Sequence, residues 1–191
     1  MLRSEYGGWT DEQLMLRSAE GDSAAFTELY DRYAKRMVNY FRRMLWNDEE
    51  KALDLTQDLF TKLIKSPGSF KEGNKFSTWI YSIASNMCKN EYRSHEVRSR
   101  HADGVKQVYG EHLIGQQDRY DRSMFKQQLA EELEHLDHAK RSTFIMRYKQ
   151  GLSIKEIAQV MDCSEGTVKS RLFYTLKKLS VGLAQFDPKR Q

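Results

Sequence analysis

Apolar positions recur every three or four residues through most of this chain and almost nowhere alternate, so the pattern predicts an all-α protein. Thr10 and Gln13 form a T-x-x-Q box that opens a first helix, ending near Glu20 before Gly21. Asp22 or Ser23 caps a longer helix to about Trp46. Phe26, Leu29, Tyr30, Tyr33, Met37, Tyr40, Phe41 and Met44 form its broad stripe, and so many aromatics on one stripe read as core. Asn47 or Asp48 caps a third helix to about Lys65, with Ala52, Leu55, Leu59 and Leu63 inward. Ser66–Asn74 is a loop by composition. Its Phe70 has little core to enter, so it either caps the domain or stacks on a base. A fourth helix, Phe76–Arg93, buries Phe76, Ile80, Ile83 and Met87.

Between about Ser99 and Arg122 the apolar stripe is lost, which reads as a linker. Phe125 leads into an acidic helix, Lys126–Leu136, with Leu129, Leu133 and Leu136 apolar. Another helix, Arg141–Lys149, carries Phe144, Ile145 and Tyr148. Two short helices follow in Gly151–Leu179. Ser153 and Glu156 make a capping box, and Ile154, Ile157, Ala158 and Met161 recur behind it. Met161–Cys163 is a turn, Ser164 is the next N-cap, and Val168, Leu172, Leu176 and Leu179 form one face. This is a helix-turn-helix, whose second helix usually enters a DNA major groove. Thr167, Ser170, Tyr174 and Lys177 lie opposite the apolar face, with Lys169, Arg171 and Lys178 on the flanks. Hydroxyls and cations are suitable donors for phosphates and base edges. The same pattern also fits an ordinary amphipathic hairpin with a solvated basic face. The predicted organisation is two small helical domains, residues 10–97 and 125–186, joined by a flexible linker at 98–124.

Charge sharpens this picture. The net charge is +4, but residues 1–50 hold seven basic and ten acidic side chains, residues 51–100 nine and five, and residues 151–191 seven and four. Two basic regions beside neutral or acidic ones point to two nucleic-acid contacts and an acidic, protein-facing part. No apolar run reaches membrane-spanning length and no signal peptide is evident, so a cytoplasmic protein without membrane insertion is expected. Cys88 and Cys163 read as reduced, partly buried thiols. His95, His101, His112, His135 and His138 are scattered, so neither a metal site nor a cofactor is expected. No phosphate loop, nucleophile elbow or convincing triad is present, so no enzyme is expected.

Two polar strips carry candidate chemistry. On the third helix Asp54, Gln57, Asp58 and Thr61 share one side. Either Lys62 answers Asp58 within the helix, or the face docks a cationic partner. On the fourth, Trp79, Ser82, Asn86, Lys89 and Arg93 share an edge. Such an edge suits a single strand: cations follow phosphates, the aromatic stacks, and the amide can read a base. Alternatively Trp79 is only half-buried core.

The stretches Asp54-Leu55-Thr56-Gln57-Asp58-Leu59-Phe60, Phe76-Ser77-Thr78-Trp79-Ile80-Tyr81-Ser82-Ile83-Ala84-Ser85-Asn86 and Gly166-Thr167-Val168-Lys169-Ser170-Arg171-Leu172 occur in this order. With them the chain resembles a bacterial sigma factor of the extracytoplasmic-function group, over about residues 14–97 and 126–181. The resemblance implies that Asp54, Gln57 and Asp58 dock on the clamp helices of the RNA polymerase β′ subunit. It implies that Phe70, Lys71, Trp79, Asn86, Lys89 and Arg93 open and read the −10 promoter element, with Phe70 and Asn86 lining a pocket for a flipped-out base. It implies that Thr167, Lys169, Ser170, Arg171, Phe173, Tyr174 and Lys177 serve −35 recognition, in a domain that also touches the β flap. An anti-sigma partner is a further implication. Tyr174 departs from the basic residue that many relatives carry there. The alternative reading from the residues is a stand-alone helix-turn-helix regulator.

Overall fold

A computed structural model describes the backbone of residues 6–101 and 117–186, with side chains at 6–97 and 123–186. Among the described residues there are eight α-helices and no strand. The chain divides into two compact units, the first made of the chain up to Arg93 together with Gln159–Asp162 and the second of the remainder.

In the first unit, α1 (Asp11–Ala19) starts at the predicted box: Thr10 accepts from the Gln13 N–H, and Gln13 accepts from the Thr10 N–H. Gly21 takes a left-handed φ of +96°, where a side chain would be strained, and turns the chain into α2 (Ser23–Met44). Asp22 caps α2 through the Ala24 and Ala25 N–H groups. Asp48 caps α3 (Glu49–Lys65), whose Glu49 and Glu50 sit in the first turn and Lys62 and Lys65 in the last, matching the helix dipole at both ends. A short 3-10 turn, Pro67–Ser69, precedes α4 (Phe76–His101).

The core of this unit is aromatic. Tyr33 and Tyr40 of α2 meet Phe76 and Tyr81 of α4, with ring centres 5.0 Å apart for Tyr33–Phe76 and 5.4 Å for Tyr40–Tyr81, and Phe41 is buried beside Tyr40. Burial pushes the Tyr81 hydroxyl up to about 12. The Tyr33 hydroxyl is raised further, by burial and by its hydrogen bond to Asp11. Arg32 donates to the carbonyls of Tyr6 and Trp9 and to the carboxylates of Asp11 and Glu28. These bonds fasten the start of α1 to α2.

The second unit holds α5 (Gln117–Glu134), α6 (His138–Tyr148), α7 (Ile154–Val160) and α8 (Glu165–Gly182). Leu133, Leu136, Phe144, Ile145, Ile157, Val168, Leu172 and Leu179 are buried between them. The Ser153–Glu156 box and the Ser164 cap form as the residues predict.

Several expectations shift. Tyr30 is 43% exposed and Phe26 half-buried, on the outer flank of α2 where both rings meet Phe60. On α4, Ile83 is half-buried while Tyr81, Ala84 and Cys88 are buried. On α8, Leu176 is 43% exposed and Thr175 takes its place at 1%. At about 100° per residue, position 175 lies nearer the centre of the Val168–Leu172–Leu179 sector than 176 does. α4 continues to His101 and α5 begins at Gln117, so helix covers both ends of the stretch read as a linker. Polar residues without Gly or Pro extend a helix that has no apolar stripe to announce it. Residues 102–116 of that stretch lie outside the described residues.

Candidate nucleic-acid and partner interfaces

α3 turns Ala52, Leu55, Leu59 and Leu63 inward and leaves Asp54, Gln57 and Asp58 exposed. Among the described residues neither carboxylate has an ion-pair partner, so the Asp58–Lys62 bridge is not formed. Leu53 and Ile64, 46% and 59% exposed, stand on the same side of α3 as Gln57. The sequence reading passed over these two. Their signal was there: both fall well outside the Ala52–Leu55–Leu59–Leu63 sector, so no helical phase buries them with it. The face combines two unpaired acids with apolar anchors, which fits a partner surface better than a solvated one.

On α4 the predicted edge is assembled. Trp79 and Ser82 are half-buried, and Asn86, Lys89 and Arg93 are exposed. Among the described residues Lys89 and Arg93 have no carboxylate partner, so their charge is available to a ligand. Ser82 gives its hydroxyl hydrogen to the Thr78 carbonyl. Lys71 is exposed in the loop before the helix.

Phe70 requires a correction. It is only 6% exposed, so it does have a core to enter. The Phe70 N–H donates to the Pro67 carbonyl at 3.2 Å, and this 3-10 turn swings the ring inward. There it lies 5.2 Å from Trp79 and 6.1 Å from Phe76, ring centre to ring centre. A base cannot stack on its face without displacing it. Trp79 is the ring that reaches the surface, with Phe70 behind it.

On α8, Lys169, Ser170, Phe173, Tyr174 and Lys177 are brought together as one exposed face. Phe173 and Tyr174 are 63% and 60% exposed, with their rings edge to face at 5.4 Å. Thr167 and Arg171 lie closer to the core side and are half-buried. The Thr167 hydroxyl and N–H both meet Ser164 Oγ at the helix start. Arg171 Nη1 points back to Cys163 Sγ at 3.6 Å. Asp137 caps α6 and pairs with Lys140 at 2.7 Å. Partial burial works against its charge, but the Lys140 contact and the nearby Arg171 win and hold the carboxyl below its usual value. Cys88 is buried and Cys163 half-buried, both as free thiols.

Comparison with known proteins bears on both units. Residues 29–98 match Sigma-70 region 2, and residues 126–179 match Sigma-70 region 4. The RNA polymerase sigma-H factor of Pseudomonas aeruginosa is 30% identical over 171 residues, covering 85% of this chain and 88% of that protein. The ECF RNA polymerase sigma-E factor of Escherichia coli K12 is 30% identical over 173 residues, covering 86% of this chain and 89% of that one. Among solved structures, CnrH in complex with the cytosolic domain of CnrY aligns with a TM-score of 0.68 at 22% identity, covering 93% of this chain and 98% of that one. The sigma factor RpoE in complex with the anti-sigma factor NepR from Bartonella quintana aligns with 0.66 at 22%, covering 83% and 96%. The two structures show a shared helical fold, and the relatives of 30% identity along most of the chain show the family. The protein whose exposed faces are described above belongs to the extracytoplasmic-function group of RNA polymerase sigma factors, the subunits that recognise promoters.

Proposed function

We propose that this sigma factor divides promoter recognition between its two units. The edge of α4, with Trp79, Asn86, Lys89 and Arg93 and with Lys71 beside it, binds the non-template strand of the −10 element. Phe70 supports Trp79 from behind. The exposed face of α8, with Lys169, Ser170, Phe173, Tyr174 and Lys177, reads the −35 element, while Thr167 and Arg171 hold the helix start and the turn. Asp54, Gln57 and Asp58, flanked by Leu53 and Ile64, dock on core polymerase, and the second unit also meets the polymerase. Residues 10–97 and 125–186 act as the two recognition domains, with the segment between them as their connection.

The single observation that carries this reading is the α4 edge: a half-buried aromatic, then an exposed amide and two exposed cations that have no carboxylate partner among the described residues. Sigma factors are not enzymes in general, and this chain uses the chemistry of the polymerase. Among the described residues no helix is long and apolar enough to cross a membrane. Action in the cytoplasm fits that. RpoE and CnrH were each solved with a bound protein, the anti-sigma factor NepR for RpoE. A comparable inhibitor is therefore proposed for this chain.

The deciding experiment is a pull-down with core polymerase, followed by promoter-dependent transcription. Core binding and transcription from a −35/−10 promoter are expected. Tight specific DNA binding without polymerase, and no core binding, would identify a stand-alone regulator instead.

A further inference from the structure

We infer that Glu12, in α1, is a positioning residue for the −10 edge, acting as the N-cap of α4 from outside that helix. The inference rests on the reading of the α4 edge as strand-binding.

A helix start leaves its first N–H groups without intrahelical partners, and a side chain at the N-cap normally supplies one acceptor. The Lys75 carbonyl accepts the first intrahelical bond, from the Trp79 N–H at 3.1 Å, so Lys75 holds the N-cap position of α4. Its ammonium can only donate, so it cannot cap. The missing acceptor comes from 64 residues away: the Phe76 N–H donates to Glu12 Oε1 at 2.9 Å. A carboxylate there also meets the positive end of the helix dipole, and a charge-assisted bond is stronger than a neutral one.

Glu12 is well placed to hold that helix still. Its neighbour Asp11 accepts from Arg32 at 2.8 Å and from the Tyr33 hydroxyl, both of α2. Two adjacent carboxylates thus tie α1 to α2 on one side and to α4 on the other. The turn of α4 they secure carries Phe76 and Trp79, which close over Phe70 with ring centres 5.9 Å apart. If that turn frays, Trp79 loses its fixed orientation while the rest of the unit stays folded. The cost appears in strand binding, because the edge must be ordered again for each encounter.

The test is a double-mutant cycle between Glu12→Ala and Lys75→Ser, which restores a local cap. The full chain bound to core polymerase is titrated with a single-stranded −10 oligonucleotide, with native helicity checked for each variant. With Lys75 present, Glu12→Ala should weaken strand binding by about fivefold, the usual worth of a cap. With Lys75→Ser, the same change should cost less than about twofold. Glu12→Gln keeps an acceptor and should stay near the parent. Should Glu12→Ala not fold, Glu12→Ser, too short to reach, carries the same comparison. Equal loss in both backgrounds would overturn the capping role, since a cap restored at position 75 should spare the helix start from the loss of Glu12. No loss from Glu12→Ala, where Lys89→Ala does weaken the strand, would overturn it too. Lys89→Ala without effect would bring down the strand reading, and this inference with it.

Discussion

Removing the two cations of the α4 edge should change how strand binding responds to salt. Lys89 and Arg93 are exposed and, among the described residues, free of carboxylate partners. Four residues apart, they sit about 6 Å from one another along the helix, so each can meet a different phosphate. For single strands each neutralised phosphate contributes about 0.7 to the slope of log K against log salt. Lys89→Ala with Arg93→Ala should therefore flatten that slope by about 1.4. Between 50 and 200 mM salt this amounts to about sevenfold: the parent loses that much more affinity than the variant. The variant should thus look poor at low salt and nearly normal at high salt. Fluorescence anisotropy of a labelled −10 strand, titrated with the polymerase complex across salt, reads this directly. The loss should be equal for all sequences, because phosphates carry no base identity. An unchanged slope, or a loss confined to one base at one position, would refute the assignment of these cations to the backbone.

Three further outcomes are expected. Reversing charge with Asp54→Lys and Asp58→Lys should weaken core-polymerase binding at moderate salt with helicity intact; unchanged affinity would remove the acidic face from docking. Asp162 in the helix-turn-helix turn holds a left-handed φ of 47°, so Asp162→Gly should stabilise the protein by about 1 kcal/mol in thermal unfolding, and a lower midpoint would contradict that. The lowered folded-state pKa of Asp137 means that its stabilisation is present above the unfolded carboxylate value and is lost as pH falls through the folded one. Asp137→Asn keeps a capping side chain but cannot titrate, so acid unfolding below about pH 4 should become shallower; an acid limb identical to the parent's would argue against this group.

The local features of this protein are legible in the chain because their partners are three or four residues apart. The Thr10–Gln13 and Ser153–Glu156 boxes and the Asp22 and Ser164 caps need only a helix to exist. The inward rows of α3 and most of α2 follow from helical period alone. The exposed α4 edge and the α8 face were readable for the same reason: polar residues in one sector stay together whatever the core does. Tertiary structure decided what depends on contacts distant in sequence. A single 3-10 turn sends Phe70 into the core, and no periodicity in a loop announces that. Helical phase already favours Thr175 over Leu176, but side-chain polarity argues the other way, and only the packing of α8 shows that phase prevails. The cap on α4 was invisible because its acceptor belongs to another helix, where Glu12 in sequence looks like any first-turn acid. Hydrophobic period and capping are one-dimensional signals, whereas the orientation of a ring or the source of a cap is settled only when packing brings separate helices together.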